Sequence, residues 1–203
     1  MRDLHHNVAS GAQPNTWIVV EHDPVVTLGR NARRDSLRVS PEFLAARGID
    51  LVEVERGGDA TYHGPGQVVV YPVVRLERFR EVVPLVSALE RSAVAAIASF
   101  GIAAGTRPEH RGVYVGNDAI CAVGLAVKAM TSMHGIALNA CGALDYDRLI
   151  DPCGTPQFGI TSLSRELGRD VSVDEARDAL LRALEAEFTM SFEGAFEPEA
   201  AVT

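Results

Sequence analysis

Apolar and polar positions alternate along the first third of this chain with the period of extended structure. Trp17 to His22 reads as a strand, Asp23-Pro24 turns, and Val25 to Arg30 continues extended. Leu51-Val52-Glu53-Val54-Glu55 alternates, and an apolar run begins at Val68, so strands near 50–55 and 67–74 are predicted. Residues 1–15 read as the tail of a helix closed by a turn at Gly11 and Pro14. Ser40-Pro41 starts a short helix, serine as N-cap and proline at the first helical position, that stops at Gly48. From Pro84 the spacing changes: Leu85, Leu89, Ala93, Ala96, Ile97 and Phe100 recur at helical intervals until Gly101. Short strands are expected at 112–115, 119–123, 125–127 and 134–139, with a hairpin turn at Gly116-Asn117-Asp118. A turn-rich stretch follows from Cys141 to Phe158, then a short helix from Thr161 to Leu167. Ser172 and Glu175 form a capping box for a last helix whose core stripe is Val173, Ala176, Leu180, Ala183, Leu184 and Phe188. Helices scattered among hairpin strands, with no steady βαβ alternation, predict an α+β fold with a mixed, largely antiparallel sheet and packed helices.

Composition narrows the setting. The chain has 203 residues, 47% of them hydrophobic, which suits one domain with a sizeable core. That domain is expected to span 1–203, with the acidic residues 193–203 as a loosely held tail. No stretch approaches the ~20 apolar residues of a membrane span, and the first residues carry no apolar signal core, so a cytoplasmic location is expected. The formal net charge of −8 argues against a nucleic-acid partner. One local exception is the basic cluster Arg30, Arg33, Arg34 and Arg38, which reads equally as a solvated loop or as a dock for an acidic macromolecule.

Candidate chemistry gathers at two places. The stretch Arg56-Gly57-Gly58-Asp59-Ala60-Thr61-Tyr62-His63-Gly64-Pro65-Gly66-Gln67 holds four of the 18 glycines and reads as a glycine loop between two strands. Such a loop lets backbone approach a ligand while Arg, Thr, Tyr and His supply polar groups. The second place is Cys153, set in a turn between Pro152 and Gly154. The three cysteines, Cys121, Cys141 and Cys153, have irregular spacing that suits neither a disulfide framework nor a zinc site. Cys121 lies in an apolar run and reads as core; Cys141 is intermediate; Cys153 is either an incidental thiol or a candidate nucleophile. A free thiol, with a pKa of about 8.5, is only a few per cent thiolate at pH 7. A cation nearby would favour the reactive form, and His63, His134 and the single lysine, Lys128, are candidates.

Arg56-Gly57-Gly58 with Thr61-Tyr62-His63-Gly64-Pro65-Gly66-Gln67 resembles the signature loop of the lipoyl(octanoyl) transferases. Glu21-His22, Pro24-Val25 and Thr27-Leu28-Gly29-Arg30 resemble that family's first hairpin. Gly112-Val113, Ala122-Val123-Gly124, His134 to Asn139, Pro152-Cys153-Gly154 and Thr161-Ser162-Leu163 match in order and spacing, so the resemblance covers nearly the whole chain. It implies the fold of the biotin/lipoate protein ligase catalytic domains. It also implies transfer of an octanoyl (or lipoyl) group from octanoyl-acyl carrier protein to a lysine of lipoyl domains, in 2-oxoacid dehydrogenases or the glycine cleavage H protein. Cys153 would carry the acyl chain as a thioester, and no cofactor or metal would be required. Arg56 to His63, Ala122-Val123-Gly124 and Gly135-Ile136-Ala137 would line the acyl slot. At about 0.8 kcal/mol per buried CH₂, six methylenes give roughly 5 kcal/mol of selectivity there.

Two departures stand out. The family's lysine beside the cysteine, counted back from Gly124, falls at Ala119. Either a lysine has been replaced deliberately or a natural chain works without it; the intact match elsewhere favours the first, and both predict slow acyl transfer. The family also carries a further strand and helical turns ahead of the segment that opens this chain. The rival expectations are an ATP-dependent lipoate or biotin ligase, an amidotransferase moving octanoyl between lipoyl-bearing proteins, and an inactive acyl-carrier-binding relative.

Overall fold

A computed structural model describes residues 1–33, 36–142, 145–150 and 159–190. Helix α1 (Arg2–Ser10) leads into β1 (Thr16–Val20), β2 (Val25–Leu28), α2 (Pro41–Ala45), β3 (Asp50–Glu53), β4 (Ala60–His63) and β5 (Gln67–Val73). Then come α3 (Val82–Ala98), β6 (Gly105–Thr106), β7 (Val113–Val115), β8 (Asp118–Lys128), β9 (Thr131–Asn139), α4 (Leu163–Leu167) and α5 (Val173–Phe188). The larger sheet has the order β1-β5-β9-β8-β7-β6 and every pairing in it is antiparallel. The smaller has the order β3-β2-β4, with β2 parallel to β3 and antiparallel to β4. The expectation of an α+β fold with a mixed, largely antiparallel arrangement holds.

Strand β5 explains how the layers stack. It is apolar on both faces because both are covered. Val68 and Val70 join the core beneath α3 and α5, together with Leu89, Ala93 and Ile97 of α3 and Ala176, Leu180 and Leu184 of α5. Gln67, Val69 and Tyr71 point the other way, into a cavity between the two sheets. The small residues of α3 let α5 lie close. Its helical register follows the expected stripe, although the helix begins at Val82 rather than Pro84. Ser172 caps α5 by accepting from the Glu175 N–H at 3.1 Å. The reciprocal half of the capping box is not formed, because the Glu175 carboxylate is taken by Arg169 at 2.9 Å.

Three local expectations are corrected. β1 and β2 are not a hairpin: β1 pairs with β5 in the large sheet, while β2 belongs to the small one. Proline at 24 has no N–H to close a hairpin, and its carbonyl instead accepts from Asp50 N–H at 3.0 Å, fixing β3 beside β2. The glycine loop is not all loop: Ala60–His63 forms β4, whose partner β2 lies far away in sequence. The strands expected at 119–123 and 125–127 are one strand. Gly124 sits inside an unbroken ladder that pairs Cys121 with Leu138 and Lys128 with Thr131. The turn that closes this hairpin holds Ala129 and Met130 at φ 49° and 54°. The tail 193–203 lies outside the described residues.

Candidate active site

The cavity between the sheets has a volume of about 380 Å³, within the range of roughly 300–1,000 Å³ usual for small-ligand sites. The glycine loop forms one wall because it is stapled at both sides. Arg56 O and Gly58 O accept from the N–H groups of Arg30 and Asn31 at 3.0 and 3.1 Å, and Gly57 N–H donates to Leu125 O of β8 at 2.9 Å. The approach is so close that a Cβ at Gly29 would lie 2.4 Å from Gly58 O. Arg56 is buried, and its guanidinium donates to Thr27 O and Thr27 Oγ1 at 2.8 Å and to Gly57 O at 3.0 Å. Asp59 accepts from Ser36 Oγ and from Ala60 N–H, which holds the loop's shape. Gly57, Gly58, Ala60, Thr61, Tyr62 and His63 complete this wall.

Strands β8 and β9 form the opposite wall through Ala122, Val123 and Gly124 and through Gly135, Ile136 and Ala137. Gly135 is required by contact: a Cβ there would lie 2.0 Å from Val70 O of β5. Ala119, at the start of β8, also lines the cavity. Its N–H donates to Gly159 O and its carbonyl accepts from Thr161 N–H, both at 2.9 Å, so the segment that follows residue 158 runs along β8 there. Every slot residue expected from the sequence thus faces one space. Cys153 lies outside the described residues. Lys128 sits at the far end of β8, away from Ala119.

Pattern reading missed a polar seam on the same cavity. His22 Nε2 and Tyr71 Oη are 2.8 Å apart, and Tyr146 Oη donates to Asn139 Oδ1 at 3.2 Å. His63 Nδ1 lies 3.1 Å from Gln67 Oε1. Burial pushes the His63 imidazole down to about 3 and the His134 imidazole down to about 4, so both are neutral near pH 7. His134 holds φ at 61° within β9, and its Nε2 is 3.8 Å from Glu55 Oε2. The signal for Tyr71 was its place two residues on from Val69 along one face of β5; His22 and Asn139 fall in the matched segments Glu21-His22 and His134 to Asn139, but nothing there showed that they line the cavity. Neither described cysteine suits a nucleophile. Burial pushes the Cys121 thiol up to about 12 and raises that of Cys141.

The family of lipoyl protein ligase A/B catalytic domains matches residues 1–185. The chain belongs to this family. An octanoyltransferase of Syntrophobacter fumaroxidans is 44% identical to it over 197 residues, covering 97% of this chain and 86% of that protein. Among solved structures, the bi-partite lipoate protein ligase of Thermoplasma acidophilum, described with its E2 lipoyl domain, superposes with a TM-score of 0.75. Its identity is 17%, and the match covers 97% of this chain and 82% of that one. The biotin protein ligase of Aquifex aeolicus reaches 0.51 at 16% identity, covering 80% and 68% of the two chains. The fold is therefore that of the biotin and lipoate ligases, as the resemblance implied. Among the described residues, no helix of this lipoyl protein ligase family member is long and apolar enough to cross a membrane.

Proposed function

We propose that this chain acts as one cytoplasmic catalytic unit that transfers an octanoyl (or lipoyl) group from acyl carrier protein to a lysine of a lipoyl domain. The acceptors would be lipoyl domains of 2-oxoacid dehydrogenases or the glycine cleavage H protein. The observation that carries this reading is that Ile150 and Ile160, on either side of residues 151–158, both line the cavity. A chain passing between them has its ends at the slot, which supports Cys153 as the nucleophile.

In this reading the Cys153 thiolate attacks the thioester carbonyl carbon. A new carbon–sulfur bond forms, the bond to the carrier breaks, and the carrier's thiolate leaves. A neutral lysine amine of the lipoyl domain then attacks the acyl-enzyme; a carbon–nitrogen bond forms, Cys153 leaves as thiolate, and the amine's extra proton passes to solvent. The first exchange trades one thioester for another and is close to isoenergetic, and the amide-forming step is downhill. The glycine wall and the small residues of β8 and β9 make room for the acyl chain, and Arg56 and His63 shape the slot without acting as bases. Ala119 leaves the start of β8 without an amine, so acyl-enzyme formation is slow. Mass measurement of the intact chain after mixing with octanoyl-carrier protein tests this: a single thioester adduct, absent in Cys153→Ser, is expected. Attachment of free octanoate only with ATP would favour a ligase instead.

A further inference from the structure

The ladder between β5 and β9 runs from Gln67 paired with Asn139 to Val70 paired with Ile136. Continued in register, Pro72 would face His134. Pro72 has no N–H to offer, and its carbonyl is taken by Ser132 Oγ, which donates to it at 2.6 Å and accepts from Val74 N–H at 3.1 Å. Pairing resumes where Ser132 N–H donates to Val74 O at 2.9 Å. His134 is left in the gap, and its N–H goes to Met1 Sδ at 3.4 Å. Ile136 and Leu138 face the core, so strict alternation would send His134 there too, beside its β8 partner Leu125. Its φ of 61° is left-handed, a strained conformation for histidine, and the ring turns instead to the cavity. There it stands edge-on to Tyr71, with ring centroids 6.1 Å apart.

The other end of the cavity is marked by Ile150, Ile160 and Asn139, further along β9, whose Nδ2 donates to Thr161 O at 2.9 Å. We propose that His134 is the specificity-determining residue that ends the acyl slot and sets the longest chain it accepts. This rests on the reading that the cavity takes an acyl chain with its carbonyl at the Ile150–Ile160 end. Gly124 and Gly135 leave the walls ahead of the ring bare, so a chain running toward it meets imidazole rather than aliphatic packing. The His134 side chain is 8% exposed, and its Nε2 finds no hydrogen-bond partner among the described residues. The Glu55 carboxylate, at 3.8 Å, is too far for one. A methyl group packed on this ring gains little, because it leaves a buried polar atom unsatisfied. A longer chain would have to displace the ring, and the core side of the strand is already filled by Leu125 and Ile136.

The test is calorimetric titration of straight-chain fatty acids of increasing length into the full chain, His134→Gly and His134→Asn. Glycine and asparagine both accept a left-handed φ, so neither variant strains the strand. In the parent, affinity should rise about fourfold per added methylene up to a limiting length and rise no further beyond it. In both variants the limit should move to longer chains, and the first acid past the parent's limit should bind about fourfold tighter than it does to the parent. A histidine with only a structural role would change every acid by one common factor and leave the limit where it was; that result overturns the proposal. So does a parent that shows no limit. If no acid of any length binds the parent, the acyl-slot reading itself fails and the inference falls with it.

Discussion

Position 135 shows how tightly single residues define the slot. A side chain at Gly135 would drive its Cβ to 2.0 Å from Val70 O, which is backbone and cannot move aside. Gly135→Ala should therefore push β5 and β9 apart, lower stability by roughly 1–3 kcal/mol as overpacked sites do, and weaken any ligand of the cavity. Thermal melts with and without octanoic acid would check both effects. Much at this scale was legible in advance. The glycine loop, Ala122-Val123-Gly124 and Gly135-Ile136-Ala137 all carry recognisable local motifs, and they meet around one cavity. The contacts that place His22 and Asn139 were not legible. Each owes its place to a partner distant in the chain, Tyr71 for His22 and Thr161 for Asn139, and no local pattern records such partners.

Elements were read well where their signal was local. The stripes of α3 and α5 and the caps at Ser40 and Ser172 follow from spacing and side-chain chemistry. Strand partnership was not read, because pairing is a long-range choice: β4 hides inside a glycine loop and β1 leaves β2 for β5. The α3–α5 layer gives a direct test. Leu180 is fully buried between that layer and the large sheet. Leu180→Ala should cost about 2–5 kcal/mol, as cavity-creating core substitutions do. Urea denaturation would measure it, and the cavity between the sheets, on the other face, should keep its ligand affinity.

For the whole molecule, two buried histidines link stability to pH. His63 and His134 are neutral when folded, at about 3 and about 4, against 6.5 for the free side chain. Below 6.5 the unfolded chain takes up protons that the folded chain refuses, so stability is fully present above that pH and falls as the pH drops toward 4. Each group contributes up to about 1.4 kcal/mol per pH unit in that window. Denaturation at pH 7 and pH 5 should show this loss, and His63→Gln should reduce it. A His63→Gln chain with the same pH dependence would contradict the burial argument.

The account turns on whether Cys153 accepts the acyl chain at the cavity between the sheets. The most direct measurement is the mass of the intact protein after mixing with octanoyl-carrier protein, with the adduct located by peptide mapping. One octanoyl group on Cys153 is predicted, formed slowly in this chain, faster by about tenfold or more in Ala119→Lys as an added cation favours the thiolate, and absent in Cys153→Ser. No adduct in the parent chain or in Ala119→Lys, or an adduct that persists in Cys153→Ser, would contradict it.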